Sequence, residues 1–422
     1  MSFPVLKTPI QKPYTLFSTE VNEINMMLQP AIHLCLVHHA ATTANVTPAL
    51  DPNFRPQEVI LLHSPDQDYH ANCLEAVLKP TGVKVSHWQI QDARDVEHIR
   101  DRVLELMIDR EQDDIALNAS GGTRPMSIAA YEIFKEFNKP IFYVHPETDY
   151  VSWMNRREFP PFNVADRINL SAFLHAHGAE VSRQGERTGI QKNLRSLTQE
   201  LVNHAEQLAK PLAALNWLAQ QAEENLRSPR LTEIQHRWSE LNALIQLFAS
   251  EGLLTYQDNC LYFKDEASRF FVNGGWLEAY TYSLVYGLRN TMPKIQGIQE
   301  IQDVGRSIEL SRDNTGRAVK NELDVAFLYN NHLYIIECKT KRFVDSKQVQ
   351  APDFDTQGAD VLYKLDTLKW LLGGVRTKVM LVSYQPLSFY DKQRARDLKI
   401  EACTAQHLIG LENVLRRWIV NN

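Results

Sequence analysis

In the segment Glu322-Leu-Asp-Val-Ala-Phe-Leu-Tyr-Asn-Asn-His-Leu-Tyr-Ile-Ile-Glu-Cys-Lys339, an acid-x-acid pair opens one apolar run and Glu337-x-Lys339 closes a second. Both runs read as strands, and Asn330-Asn331 suits a two-residue hairpin turn. That turn sets the register: Asp324 falls opposite Glu337 and Glu322 opposite Lys339, and alternation puts all four on one face. Opposed residues have Cβ atoms roughly 4.5–5.5 Å apart. Two carboxylates that close repel unless a cation lies between them. A divalent metal satisfies them, and hard oxygen ligands suit Mg2+ or Mn2+. The competing reading is a solvent-facing amphipathic hairpin. Against it, Val325-Ala-Phe-Leu328 and Ile335-Ile336 are nearly continuous apolar runs, as in a buried strand. His332, beside the turn, reads as a solvated residue rather than a general base.

A second constellation is Asn118-Ala-Ser-Gly-Gly-Thr-Arg-Pro-Met-Ser127. It falls between an expected strand and an expected helix, where backbone amides are free to meet an anion. Gly121 and Gly122 allow close backbone approach, Ser120, Thr123 and Ser127 offer hydroxyls, and Arg124 offers a cationic fork. No Gly-Lys-Ser/Thr closes the loop, so it is not a Walker A loop. Two readings stand here: a phosphate or nucleotide site, or an ordinary capped turn whose Ser and Thr serve the helix N-terminus.

Both constellations carry a family resemblance. Asp324 followed by Glu337-x-Lys339 across a hairpin resembles the core of the PD-(D/E)XK nucleases. The resemblance implies that Asp324 and Glu337, with the Cys338 carbonyl, hold the metal, that the metal activates a water, and that Lys339 assists that water. Phe271-Val-Asn-Gly-Gly-Trp-Leu-Glu278 resembles the entry to such a domain in CARF-fused effectors, with Glu278 as a helix-borne acid; a domain hinge at Gly274-Gly275 is the plainer reading. Lys364, within Leu362 to Lys369, stands where a phosphate-backbone contact is expected, or on a solvated helix face. Asn118 to Ser127 looks like the signature loop of CARF domains, with Ser120 and Arg124 where many relatives have threonine and lysine. This implies a cyclic oligoadenylate pocket that includes Asn118, Ser120, Gly121, Gly122, Thr123, Arg124, Met126 and Ser127. By position, His39, Thr42 and Thr43 in the loop His38 to Asn45, and Ser64 after the second strand, supply its other side.

The elements that position these residues follow from hydrophobic periodicity. Strands are expected at Ile32–Val37, Val59–His63, Val83–Ile90, Asp114–Asn118 and Pro140–His145. Helices are expected at Tyr69–Leu78, Asp95–Arg110 and Ser127–Phe137. Such alternation implies an α/β domain, a Rossmann-like doubly wound parallel sheet with ligand sites at the carboxyl ends of its strands. Residues 190–226 are helical. A helix from Trp238 to Glu251 followed by a hairpin resembles a small winged-helix unit. The expected division is residues 1–150 for the CARF-like domain (1–30 an N-terminal extension), 151–270 for a helical and winged-helix-like middle, and 271–422 for an α/β restriction-endonuclease-like domain.

Bulk properties bound the rest. The chain has 422 residues and a net charge of −6, with 20 Lys+Arg against 17 Asp+Glu in residues 276–422 and 25 against 34 before them. The nuclease-like part is thus the less acidic, and a generic nucleic-acid coat is excluded. Five scattered cysteines form no CxxC, which argues against zinc and a disulfide framework. No apolar run reaches the ~20 residues of a membrane span, and Met1 to Lys7 lacks a secretory pattern. The cytoplasm is the expected location.

Together these readings lead to the expectation of a homodimeric, cyclic-oligoadenylate-activated, metal-dependent endonuclease of type III CRISPR defence, with cyclic tetra-adenylate as activator and DNA, RNA or both as substrate. Two rivals are a messenger-responsive winged-helix transcriptional regulator and a restriction or repair DNase that needs no messenger.

Overall fold

The computed structural model describes residues 29–39, 42–292, 301–312, 319–341, 343–344 and 356–421. Residues 1–28 of the N-terminal extension lie outside the described residues.

The first sheet has seven strands in the order β3-β2-β1-β4-β5-β6-β7. β1 (Ile32–Leu36), β2 (Glu58–His63), β3 (Lys84–Gln89), β4 (Ile115–Asn118) and β5 (Ile141–Val144) are parallel. β6 (Tyr150–Trp153) and β7 (Phe162–Asn163) add to it antiparallel, beyond residue 150. β1, β2 and β4 are buried along their whole length, as the covered strands of a parallel sheet must be. The helices are α1 (Thr42–Leu50), α2 (Asp68–Leu78), α3 (Val96–Asp109) and α4 (Arg124–Glu136). The order reverses between β1 and β4, and the Asn118–Ser127 loop lies at that switch point, where such sheets bind ligands.

The loop expected over His38–Asn45 is helical in its second half. α1 begins at Thr42, and Thr42, Thr43, Ala44 and Asn45 are all buried. Threonines and an asparagine are poor helix formers. Tertiary burial of the segment outweighs that local preference.

After α5 (Leu170–Ala176), β8 (Glu180–Arg183) joins the edge of a second sheet. α6 (Arg195–Asn203) and α7 (Ala205–Gln220) follow, then α8 (Ser239–Ser250) and the hairpin β9 (Leu254–Gln257) and β10 (Cys260–Phe263). The helix and the hairpin that follow one another here are the elements expected from the sequence. This hairpin turns on Asp258 and Asn259, both with positive φ.

The second sheet runs β15-β14-β13-β12-β11-β8. It comprises β11 (Asp303–Arg312), β12 (Val319–Tyr329), β13 (His332–Lys339), β14 (Thr377–Ser383) and β15 (Glu401–Cys403). α9 (Trp276–Leu288), α10 (Gly358–Leu371), α11 (Phe389–Asp397) and α12 (Leu411–Val420) complete it. α6, α7 and α8 share one apolar cluster with Trp276, Phe327, Tyr334, Tyr384 and Trp418, so the middle helices cover one face of this sheet. The other face belongs to a cluster that continues through Phe173 and Leu174 to Val37, Val59 and Leu74 of the first domain. The two sheets are therefore joined by continuous apolar packing.

Candidate active site and messenger loop

The expected hairpin register is the observed one. Val325 pairs with Ile336, Phe327 with Tyr334 and Tyr329 with His332. Asn330 and Asn331 have φ of 50° and 54°, the left-handed pair that a two-residue type I′ turn requires. Asp324 and Glu337 follow directly beyond the last ladder pair. There the Asp324 carboxylate accepts the Cys338 amide at 2.7 Å, in place of a main-chain partner. Because a strand residue presents N–H and C=O to the same neighbour, the Cys338 carbonyl also turns toward the β12 edge. Glu322 is exposed and pairs with Glu309 on β11. Lys339 lies 2.7 Å from Glu337 and 3.9 Å from Asp324, so its partners are those two acids.

Glu337 is buried, and its Oε1 receives both Lys339 and Lys364, the latter at 2.9 Å from α10. Its Oε2 is buried with no hydrogen-bond partner. Burial alone would raise the Glu337 carboxyl, but the two lysines outweigh it and hold the group below its ordinary range. Asp324 shows the opposite balance. Burial, then the charge of Glu337, pushes it up to about 7. Lys339 is raised, since its acidic neighbours overcome the burial that would lower it.

Glu278 joins the same cluster. It lies in the first turn of α9, and burial, then Asp324 and Glu322, raise it well above the usual carboxylate range. Ser307 donates to its Oε2 at 3.2 Å. Ser307 breaks the β11–β12 ladder opposite Asp324 with a φ of 51°. A left-handed serine in mid-strand has no signature in sequence, so Ser307 escapes periodicity reasoning. Gly274 is no mere hinge: a Cβ there would lie 2.2 Å from Thr340 Oγ1, so the glycine admits the strand end that carries Lys339.

His332 departs from expectation. It is buried, and its Nε2 lies 2.9 Å from the Pro146 carbonyl of the first domain. The turn docks against that domain instead of facing solvent.

The donor set is two hard carboxylates, one with an orphaned oxygen, and a carbonyl. Among the described residues no group of three or more His, Cys, Asp and Glu is arranged to hold a metal ion. The set therefore fits an ion that keeps waters and substrate oxygens in its shell, as Mg2+ does, and not a fully protein-caged one.

In the Asn118–Ser127 loop, Asn118 is buried and donates to the Ala44 carbonyl at 2.8 Å, while its Oδ1 accepts the Ser120 amide at 3.1 Å. Ser120 Oγ accepts the Val144 amide at 2.7 Å. A Cβ on Gly121 would lie 2.1 Å from the Leu36 carbonyl oxygen, and Gly122 has a φ of 73°. What the glycines admit here is β1. Thr123 caps α4, accepting the Met126 amide at 3.3 Å and donating to Ala93 O at 2.8 Å. Ser127 donates to Gly121 O at 3.1 Å, and Met126 lies in the core. The capped-turn reading is thus satisfied in full, and Arg124 is left exposed at the loop's rim.

Thr42 and Thr43 both meet His177, at 2.9 and 2.6 Å. His39 is exposed and its amide donates to Gln67, whereas Ser64 is buried against Asp66. A cavity of about 50 Å³ is lined by Thr43, Ser120, Tyr143, His177 and, from the second domain, Arg376. His177 and Arg376 carried no sequence signal, because each meets the site only through the tertiary fold.

A doubly wound parallel-sheet domain is thus joined to an α/β domain whose hairpin carries buried carboxylates. Residues 32–173 match the Card1 CARF domain family, and residues 264–422 match the Card1-like endonuclease domain family. The fold is similar to protein VC1899 from Vibrio cholerae, with 31% identity and a TM-score of 0.80 over 92% of this chain and 98% of that one. It is also similar to Can2 from Sulfobacillus thermosulfidooxidans, solved in complex with cyclic tetra-adenylate, with 25% identity and a TM-score of 0.75 over 92% of this chain and 99% of that one. No match was found among curated proteins. The chain belongs to the Card1-like family, with a CARF domain and an endonuclease domain. Among the described residues, no helix is long and apolar enough to cross a membrane.

Proposed function

We propose that this protein is a divalent-metal-dependent endonuclease that cyclic oligoadenylate switches on in type III CRISPR antiviral defence. The observation that carries this reading is the Asp324–Glu337 pair, buried between two lysines at the end of a hairpin, in a chain whose other half is a CARF domain. A repressor has no use for such a pair, which disfavours the transcriptional-regulator reading.

Asp324, Glu337 and the Cys338 carbonyl would hold Mg2+ or Mn2+, which when bound supplies an activated water and neutralises charge on the phosphate. Lys339, held in the cationic state by its acidic neighbours, orients that water and balances charge on the transferring phosphoryl oxygens. Glu278, its carboxyl raised by burial and then by Asp324 and Glu322, would be the group that donates or relays a proton within the site. Lys364 draws the nucleic-acid backbone toward Glu337. On the sensor side, Arg124 and the amides of the Gly121–Thr123 turn would receive the messenger's phosphates, with His39 on the facing rim. Cyclic tetra-adenylate is the activator favoured, since the Can2 structure contains it. A homodimer places two such loops about one symmetric ligand.

The test is cleavage of supercoiled plasmid and of single-stranded RNA in Mn2+, with and without cyclic tetra-adenylate. Messenger-dependent cleavage is expected. Equal cleavage without messenger would leave a plain nuclease, and messenger binding with no cleavage would leave a regulator.

A further inference from the structure

The turn of the hairpin is held by the first domain through a buried polar cluster that borders the candidate messenger pocket. Asp149, in the β5–β6 connection, is fully buried and has a φ of 55°. Its Oδ1 accepts Arg376 Nη1 at 2.6 Å, and its Oδ2 accepts Asn331 Nδ2 at 2.6 Å. Arg376 and Asn331 both belong to the second domain, and both are buried. Arg376 also reaches the His145 carbonyl at 3.3 Å, and it lines the cavity that Thr43 and Ser120 share. One guanidinium therefore lines the cavity beside Ser120 and is joined through Asp149 to Asn331 at the tip of the hairpin.

A buried ion pair is weak grounds for stability, because desolvation offsets the attraction, but it does specify one arrangement. Here it specifies the placement of a rigid hairpin. Asn331 ends the turn just before β13 and Glu337 lies six residues further along it, a span of about 20 Å at the strand rise. Ladder pairing makes that span stiff, so displacement of the turn moves the carboxylates with it. Apolar packing continuous across the two domains leaves no slack to absorb such a shift.

We propose that Asp149, Arg376 and Asn331 are positioning residues that couple occupancy of the messenger loop to the placement of Asp324 and Glu337. This rests on the function proposed above and names the device by which it is regulated. A messenger that moves Ser120 or Thr43 changes the floor on which Arg376 sits. Arg376 carries the change to the turn through Asp149.

Asn331→Gly tests this cleanly. Asn-Gly is the preferred type I′ pair, so the turn is retained and only the carboxamide is lost. Messenger affinity is measured by calorimetry in EDTA, with and without a single-stranded DNA oligonucleotide, alongside melting temperature and messenger-stimulated cleavage in Mn2+. Linkage is reciprocal, so the nucleic acid must tighten messenger binding in the wild type, by about fivefold or more. In Asn331→Gly the affinity for messenger alone stays near wild type, while the melting temperature falls because the Asp149 carboxylate and Gln302 lose buried partners. The tightening disappears and stimulated cleavage falls tenfold or more. Asp149→Asn with Arg376→Gln, a neutral pair that tolerates the left-handed backbone at 149, is expected to lose the tightening as well, whatever its affinity for messenger alone, and decides between the outcomes should Asn331→Gly not fold. Full tightening in both variants, or its absence from a wild type that binds messenger, overturns the coupling. A wild type that binds no messenger overturns the proposed function, and the coupling falls with it.

Discussion

The Asp324 carboxylate accepts the Cys338 amide hydrogen at 2.7 Å, so one acid of the proposed site is oriented by the strand that carries the other, Glu337. The bond also keeps the strands from closing beyond Val325–Ile336.

Removing either acid is expected to abolish cleavage while leaving messenger binding intact. For Glu337→Ala the fall should be at least about a hundredfold, the scale set by outer-shell losses alone at metal sites. Cleavage assays paired with calorimetric titration of cyclic tetra-adenylate check this. Retained cleavage sinks the site.

Lys364 shares Glu337 Oε1 with Lys339 but is the more exposed of the two, with side-chain accessibilities of 42% and 25%. Lys364→Ala should weaken nucleic-acid binding across sequences and lower the slope of log affinity against log salt by about one, the mark of a lost phosphate contact. An unchanged salt slope would assign Lys364 to the site's charge balance alone.

Arg124 is exposed, so Arg124→Ala should leave stability within about 0.5 kcal/mol. Its loss should raise the half-activating messenger concentration about tenfold, as removal of one charge-assisted contact does. Gly121→Ala is the contrasting variant, because its Cβ would collide with the Leu36 carbonyl. It should lower the melting temperature as well as activation. Dose–response and scanning calorimetry separate the two.

Acid should unfold the sensor domain through its buried histidines. Burial lowers His33 and His177 from 6.5 to about 3. Both are neutral in the fold, while the unfolded chain gains a proton on each below pH 6.5. Stability is therefore full above that pH and falls steadily as pH drops toward 3. His33 packs at 4.8 and 5.0 Å from the Phe54 and Phe142 rings, and its Nε2 has no partner. His33→Leu should stabilise, more at pH 5 than at pH 7.5, since it removes both an unsatisfied polar atom and a proton-linked penalty. Equal gains at the two pH values would mean that His33 is not a titrating group.

Much of the fold is legible because its signals are local. Runs of apolar residues mark the buried strands. The Asn330-Asn331 turn then determines which residue faces which across the hairpin, down to the pairing of Val325 with Ile336. The start of α1 is not legible, because threonine and asparagine speak against a helix and only tertiary burial imposes one.

By itself the sequence determined the hairpin, its register and the acids at its end, since turn length and a two-residue side-chain period admit one solution. It also determined the Gly-Gly-Thr loop at the end of β4. Only the tertiary structure decided that Ser307 meets Glu278, that Lys364 reaches Glu337, and that His332 is buried. It alone joined Asp149, Arg376 and Asn331, residues separated by as many as 227 positions. Contacts that distant leave no periodic trace. They follow from how two sheets pack, and no local propensity encodes that.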